Sequence, residues 1–213
     1  MISGFHEVAE TESKIASRKM LYGVGVIDAN YKLYVVEGGK FYFCPFYKVW
    51  KSMMTRCYSE KYHTSNRPYE KCTVAVEWHS FNAFRSWMET HEWKNMYLDK
   101  DIIIMGNKNY SPENCIFVSR HLNNLVQERR KNKTGLPVGV GRVRSTERYY
   151  ARHVLYGKKT HLGVFNSPED AEAAYINAKI SDFVCVAEEQ SDERIKTAIL
   201  SRANSLREGI NHG

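Results

Sequence analysis

The stretch Leu98–Leu125, LDKDIIIMGNKNYSPENCIFVSRHLNNL, limits the possible folds of this chain more than any other. It opens on a short apolar run carrying two acids, Asp99 and Asp101. A tight turn and a second short strand follow. Ser119 then stands where a helix cap belongs, one residue before a new periodic segment. The predicted order is strand, turn, strand, helix. It puts carboxylates on the first strand and the amides of Asn123 and Asn124 on the helix.

Upstream, residues 1–20 are polar and read as a loose arm or short helix. Leu21–Phe43 is β-rich, with a turn at Gly38 and Gly39. Pro45 opens a helix whose Phe46, Val49, Trp50, Met53, Met54 and Cys57 fall on one face, the pattern of a buried stripe. Glu60–Lys71 reads as a loop and Cys72–Trp78 as a strand. A helix capped by Ser80 follows to about Thr90, burying Phe81, Phe84 and Trp87.

Downstream, the motif helix is predicted to continue through Arg120–Lys133. It ends in RRKNK, then Gly135 and Pro137, a stop signal and the clearest boundary in the chain. Strands are predicted at Val138–Arg144, Tyr149–Leu155 and Thr160–Phe165. Asn166-Ser167-Pro168-Glu169-Asp170 starts a helix reaching about Ile180. A last helix after Ser191 carries Ile195, Ile199 and Leu206 on one face. The division that follows is a first domain at 1–131, a basic linker at 132–136, a second domain at 137–185 and a C-terminal helix at 186–213. The fold class is α+β.

Lys and Arg number 31 against 24 Asp and Glu, a formal net charge of +7. That balance favours an acidic partner, of which nucleic acid is the commonest. The five cysteines are odd in number and include no C-x-x-C pair, which argues against a disulfide framework and against a zinc ribbon. Cys57, Cys72 and Cys115 would be the set for a structural zinc, with buried reduced thiols as the plainer reading. No apolar h-region and no run of bilayer length is visible, so a cytosolic protein without a membrane partner is expected.

Two carboxylates and an amide oxygen are hard ligands suited to one Mg²⁺ or Mn²⁺. The combination of YGVG, YKVWKSMMTRCY, CTVAVEW, LDKD, GNKNYSPENC and the paired Asn residues, spread over about residues 20–131, resembles a group of phage-encoded, homing-like HNH-type endonucleases. The resemblance implies a ββα-metal nuclease domain. Asp99 or Asp101 then holds the strand ligand position, Asn123 the helix ligand position, and Asn114 the place of the loop-tying Asn. Where that family carries its general-base His, this chain has Lys100 or Ile102. His121 lies nearby on the helix, but residues two apart on a helix do not share a face, and His79 and His91 lie upstream. Lys100 is a candidate phosphate contact. The other reading of the same residues is local, with Asn114 as a turn residue bonded to its own backbone.

The segment Leu136–Lys179, with VGV, YYARHVL, the Gly157-Lys158 turn, HLGVF and EDAEAAY, resembles the APETALA2/ethylene-response-factor type of DNA-binding domain. That implies a three-stranded antiparallel sheet packed on a helix, with the sheet in the major groove. The matching contact positions are Arg142, Arg144, Tyr149 and Arg152, with Tyr149 where that family usually has Trp. Lys158, Lys159 and His161 follow on the next turn and strand. By strand alternation Arg142 and Arg144 should share a face, as should Tyr150 and Arg152. Arg bonds guanine bidentately, while Lys adds phosphate attraction.

Together the two resemblances imply a metal-dependent DNA endonuclease with one divalent ion per site. It would nick or cut double-stranded DNA as a monomer or homodimer in the cytoplasm of an infected bacterial host. The alternatives are a DNA-binding regulator or host-takeover factor without cleavage, and an RNA substrate.

Overall fold

The computed structural model describes residues 4–127, 135–155 and 157–211. The protein is mixed α+β, built on small sheets. It divides into two compact units, Met1–Phe117 and Val118–Gly213. The division falls inside a strand, ahead of the motif helix. The Arg129–Lys133 run lies outside the described residues, as does most of the 132–136 stretch.

The first unit begins with a short helix, α1 (Glu12–Ala16), and a hairpin of β1 (Tyr34–Glu37) and β2 (Lys40–Phe43). Gly38 and Gly39, at φ +55° and +75°, make the two-residue turn whose twist matches antiparallel strands. Pro45 opens α2 (Pro45–Tyr58), and Trp50, Met53, Met54 and Cys57 form its buried face. The Trp50 indole N–H donates to the Trp78 carbonyl at 2.7 Å, so the largest core side chain leaves no buried donor unpaired. Gly25 lets that ring approach, because a Cβ there would stand 2.7 Å from it.

The predicted loop at 60–71 instead holds α3 (Glu60–His63) and a 3₁₀ turn, Arg67–Tyr69. Ser59 nucleates α3 by accepting from the Tyr62 N–H. The predicted strand at 72–78 shrinks to β3 (Thr73–Val74), followed by a 3₁₀ turn at Val76–His79. The turn buries Trp78 and leaves Val76 in solvent, which an alternating strand cannot do. Helix α4 (Phe81–Glu89) starts at Ser80, whose Oγ accepts from the Ala83 N–H while its hydroxyl donates to Asp28.

Strand β4 (Tyr97–Asp99) pairs with β6 (Ile116–Val118), and β5 (Asn109–Tyr110) runs parallel to β3. Helix α5 (Arg120–Val126) follows, capped by Ser119.

In the second unit β7 (Val140–Arg142), β8 (Tyr149–Leu155) and β9 (Lys158–Phe165) form an antiparallel sheet in that order. Helix α6 (Pro168–Glu188) packs on it, and α7 (Glu193–Asn211) packs on α6. Val140, Ala151 and Ala171 are the buried centre between sheet and helix, with Tyr149, Leu162 and Phe165 around them. Helix α6 runs well past its predicted end at Ile180, because Phe183, Val186 and Ala187 extend the buried face. No helix among the described residues is long and apolar enough to cross a membrane.

Candidate metal loop and nucleic-acid interface

The acids of the first motif sit where β4 ends. Asp99 Oδ1 accepts from the backbone N–H groups of Asp101 and Ile102 at 2.7 and 2.8 Å. This side chain-to-backbone turn stops the strand at Asp99, and bends follow it. Asp101 therefore does not alternate with Asp99 along a strand. Burial pushes the Asp99 carboxyl above the ordinary carboxylate range, and the two N–H donors only partly offset it.

Lys100 is 4% exposed. Its Nζ donates to Asp101 Oδ1 at 2.6 Å and to the Asn107 carbonyl at 2.8 Å, and lies 5.6 Å from the Tyr110 ring centre. The ammonium is built into the loop rather than presented to a phosphate, which corrects that expectation.

Asn107 closes the structure. Its Nδ2 donates to the carbonyls of Lys100 and Asn109, and its Oδ1 accepts from the Asn109 N–H, all within 3.0 Å. Asn114, matched by the resemblance to the loop-tying position, makes a local turn through its N–H to Ser111. Asn107 was missed although it stands directly after Gly106 (φ +76°), in the turn itself. His79 and His91 are engaged locally. His79 Nε2 lies 3.1 Å from the Val74 carbonyl, and His91 Nδ1 lies 2.8 Å from that of Trp87.

Asp99 Oδ2 and the carboxylate of Asp101 are hard oxygen donors, so their chemistry fits Mg²⁺ or Mn²⁺. The Lys100 charge beside Asp101 weakens that fit. Among the described residues no group of three or more His, Cys, Asp or Glu is placed to hold a metal ion. Cys57, Cys72 and Cys115 are free and buried, and burial raises all three thiols above their ordinary pKa, Cys57 to about 12. They are thiols packed in the core, not a prepared thiolate set.

In the second unit, His121 and Asn123 are half-buried on α5. His121 and Asn124 line a small cavity with His153, Tyr175 and Lys179. Burial pulls the His121 pKa below its ordinary value, against the raising influence of Asp182 and Glu189. Its neighbours His153 and Asp182 form a buried pair tying β8 to α6. Neither was singled out in the sequence. A His at an inward strand position and an Asp in the apolar run of α6 were the signals available.

The sheet sorts the predicted contacts by face. Register pairs Val140 with Ala151 and Arg142 with Tyr149, which puts these four on the helix side. Tyr149 thus packs in the core, and the Arg142 guanidinium lies 5.9 Å from its ring centre and ion-pairs with Glu147 at the sheet edge. Arg144 falls in the turn after β7, not on the strand, so it does not alternate with Arg142.

The open face carries Tyr150 and Arg152. His161 lies opposite Arg152, and Lys159 opposite Val154. Arg152 Nη2 donates to the Tyr150 hydroxyl at 2.7 Å, with the guanidinium 4.5 Å from the ring centre. The Tyr150 ring lies flat across Gly141, where any Cβ would overlap it at 2.3 Å. Lys158, opposite Leu155, is exposed at the hairpin end.

No family model, no curated protein and no solved structure matches this chain. Its functional reading therefore rests on these residues and on the resemblances of its motifs.

Proposed function

We propose that this protein binds duplex DNA through the open face of the β7–β9 sheet and hydrolyses phosphodiester bonds in a divalent-metal-dependent reaction. The observation that carries the reading is the Tyr150–Arg152 pair, its tyrosine ring against Gly141, with exposed His161 and Lys159 on the same face of the three-stranded sheet. A sheet of this size fits a major groove, Arg and Tyr reach base edges and phosphates, and Lys adds electrostatic attraction.

For cleavage, Asp99 and Asp101 are the residues of the first unit that would hold Mg²⁺ or Mn²⁺. When bound, such an ion supplies charge neutralisation at the phosphate and at the departing 3′ oxygen. Asp99 is held in one orientation by its two backbone donors. Burial lowers the His121 pKa, which favours the neutral imidazole that can accept a proton.

A second reading is DNA binding without cleavage. It is favoured by the Lys100–Asp101 pair, which spends one of the two loop carboxylates on a buried cation.

Nicking of supercoiled plasmid by the full chain with Mg²⁺ or Mn²⁺ separates the two, with EDTA as control. The nuclease reading expects metal-dependent open circles that are lost in Asp99→Asn while duplex affinity is retained. Duplex binding with no nicking under either metal leaves the second reading.

A further inference from the structure

The β1–β2 hairpin has two unlike faces. Val35 points into the first unit and is buried. The register pairs Tyr34 with Phe43 and Val36 with Phe41, so these four residues share the opposite face. All four are between 46% and 61% exposed. Their rings are already gathered: Tyr34 lies 5.5 Å from Phe41 and 5.6 Å from Phe43, centre to centre. Three clustered aromatic rings in water are not the scattered exposed apolar residues of an ordinary surface.

Phe43 carries this face into a groove of about 400 Å³ along α2. Tyr47 and Tyr62 line the groove with Lys48, Lys51 and Arg56. Lys48, Lys51 and Thr55 follow one another at helical spacing, on a single face of α2. Among the described residues no acidic side chain lines the groove. The acid of the hairpin, Glu37, sits at the far end of β1 beside His6.

We propose that this face and groove bind single-stranded nucleic acid, with unpaired bases stacked on Tyr34, Phe41 and Phe43 and the phosphates following the exposed Lys48 and Lys51. Charge complementarity selects the occupant. Cations without lining acids call for an anionic polymer, and flat exposed rings call for flat partners. Nucleic acid offers both, and only when unpaired, because a duplex keeps its base faces stacked against one another. Alternating aromatic and cationic side chains are the usual means of holding a single strand without reading its sequence. The surface lies entirely within the first unit and is independent of the duplex-binding sheet.

The test is fluorescence anisotropy of the full-length protein with a labelled oligothymidylate and, separately, a labelled hairpin duplex. The double variant Phe41→Ala/Phe43→Ala is expected to lose about tenfold or more in single-strand affinity, with duplex affinity unchanged. Lys48→Ala/Lys51→Ala is expected to flatten the salt dependence of single-strand binding by a slope of about 1.4. Tyr150→Ala/Arg152→Ala should reduce duplex binding alone, so failure of the sheet reading is seen separately. Phe41, Phe43, Lys48, Lys51 and Arg152 are exposed and Tyr150 is half-buried, and an unchanged melting temperature shows that each variant is folded. Absence of oligothymidylate binding by the native protein overturns the proposal, as does undiminished binding by the Phe variant. A Phe variant that converts a dimer to a monomer with single-strand affinity intact also overturns it, and identifies the face as a self-association surface.

Discussion

The loop from Asp99 to Asn109 and the open face of the β7–β9 sheet are made from the same kinds of residue and use them in opposite ways. In the loop, Lys100 lies 5.6 Å from the centre of the Tyr110 ring. On the sheet, Arg152 lies 4.5 Å from the centre of the Tyr150 ring. The pairings look alike, yet Lys100 is 4% exposed and bonded to its own loop, whereas Arg152 stands in solvent beside His161. A cation beside an aromatic ring is therefore not by itself a recognition element. What separates the two is the destination of the hydrogen bonds. The loop spends its donors on its own backbone, while the sheet satisfies its backbone through the strand ladder and keeps Arg152, Lys159 and His161 exposed.

The sharpest break of this contrast is Asn107→Ala. It removes three hydrogen bonds and leaves partly buried backbone groups unpaired, an expected loss of about 3 kcal/mol in urea unfolding. A loss below about 1 kcal/mol would mean that Asn107 does not hold the loop.

Next comes Tyr149→Ala, which trims a half-buried ring packed on Val140 and Ala151. It is expected to cost about 1–2 kcal/mol of stability with duplex affinity retained once the protein is folded.

Asp99→Asn is subtler. It keeps an oxygen for the two backbone donors and removes a charge that burial disfavours. At pH 7 the variant should unfold at slightly higher urea than the native protein. The gap should close as pH falls through the raised Asp99 pKa, because the protonated native carboxyl no longer carries the burial penalty. A gap that widens on acidification would mean that Asp99 is stabilised as a carboxylate.

The smallest effect is that of Lys159→Ala on the sheet. It should weaken binding to all duplexes alike and reduce the salt slope by about 0.9, with no change in stability.

Much of the architecture was legible because it rests on local chemistry. Ser80, Ser119 and Ser167 each accept from the backbone N–H three residues on, as a Ser before a periodic segment implies. The Gly-Gly hairpin and the three strands of the second unit follow from turn residues and alternation.

What was illegible depends on a competing bond or on register. Asp99 captures two N–H groups and bends the chain straight after β4, burying Ile102 and leaving Ile104 52% exposed. Tyr149 and Tyr150 are chemically identical, and one step of register decides which packs in the core and which faces out. The resemblance pointed to the inward one. Asn107 and Asn114 are likewise the same residue type in two turns, and only the hydrogen bonds show which one ties the loop.

The face assignment carries the functional account, and one measurement tests it most directly: duplex-DNA affinity of Tyr150→Ala/Arg152→Ala beside that of Tyr149→Ala, both checked for folding by circular dichroism. The account predicts a loss of about tenfold or more for the first and near-native affinity for the second. Near-native affinity for Tyr150→Ala/Arg152→Ala would contradict it, and would remove the open face of the sheet as the duplex-binding surface.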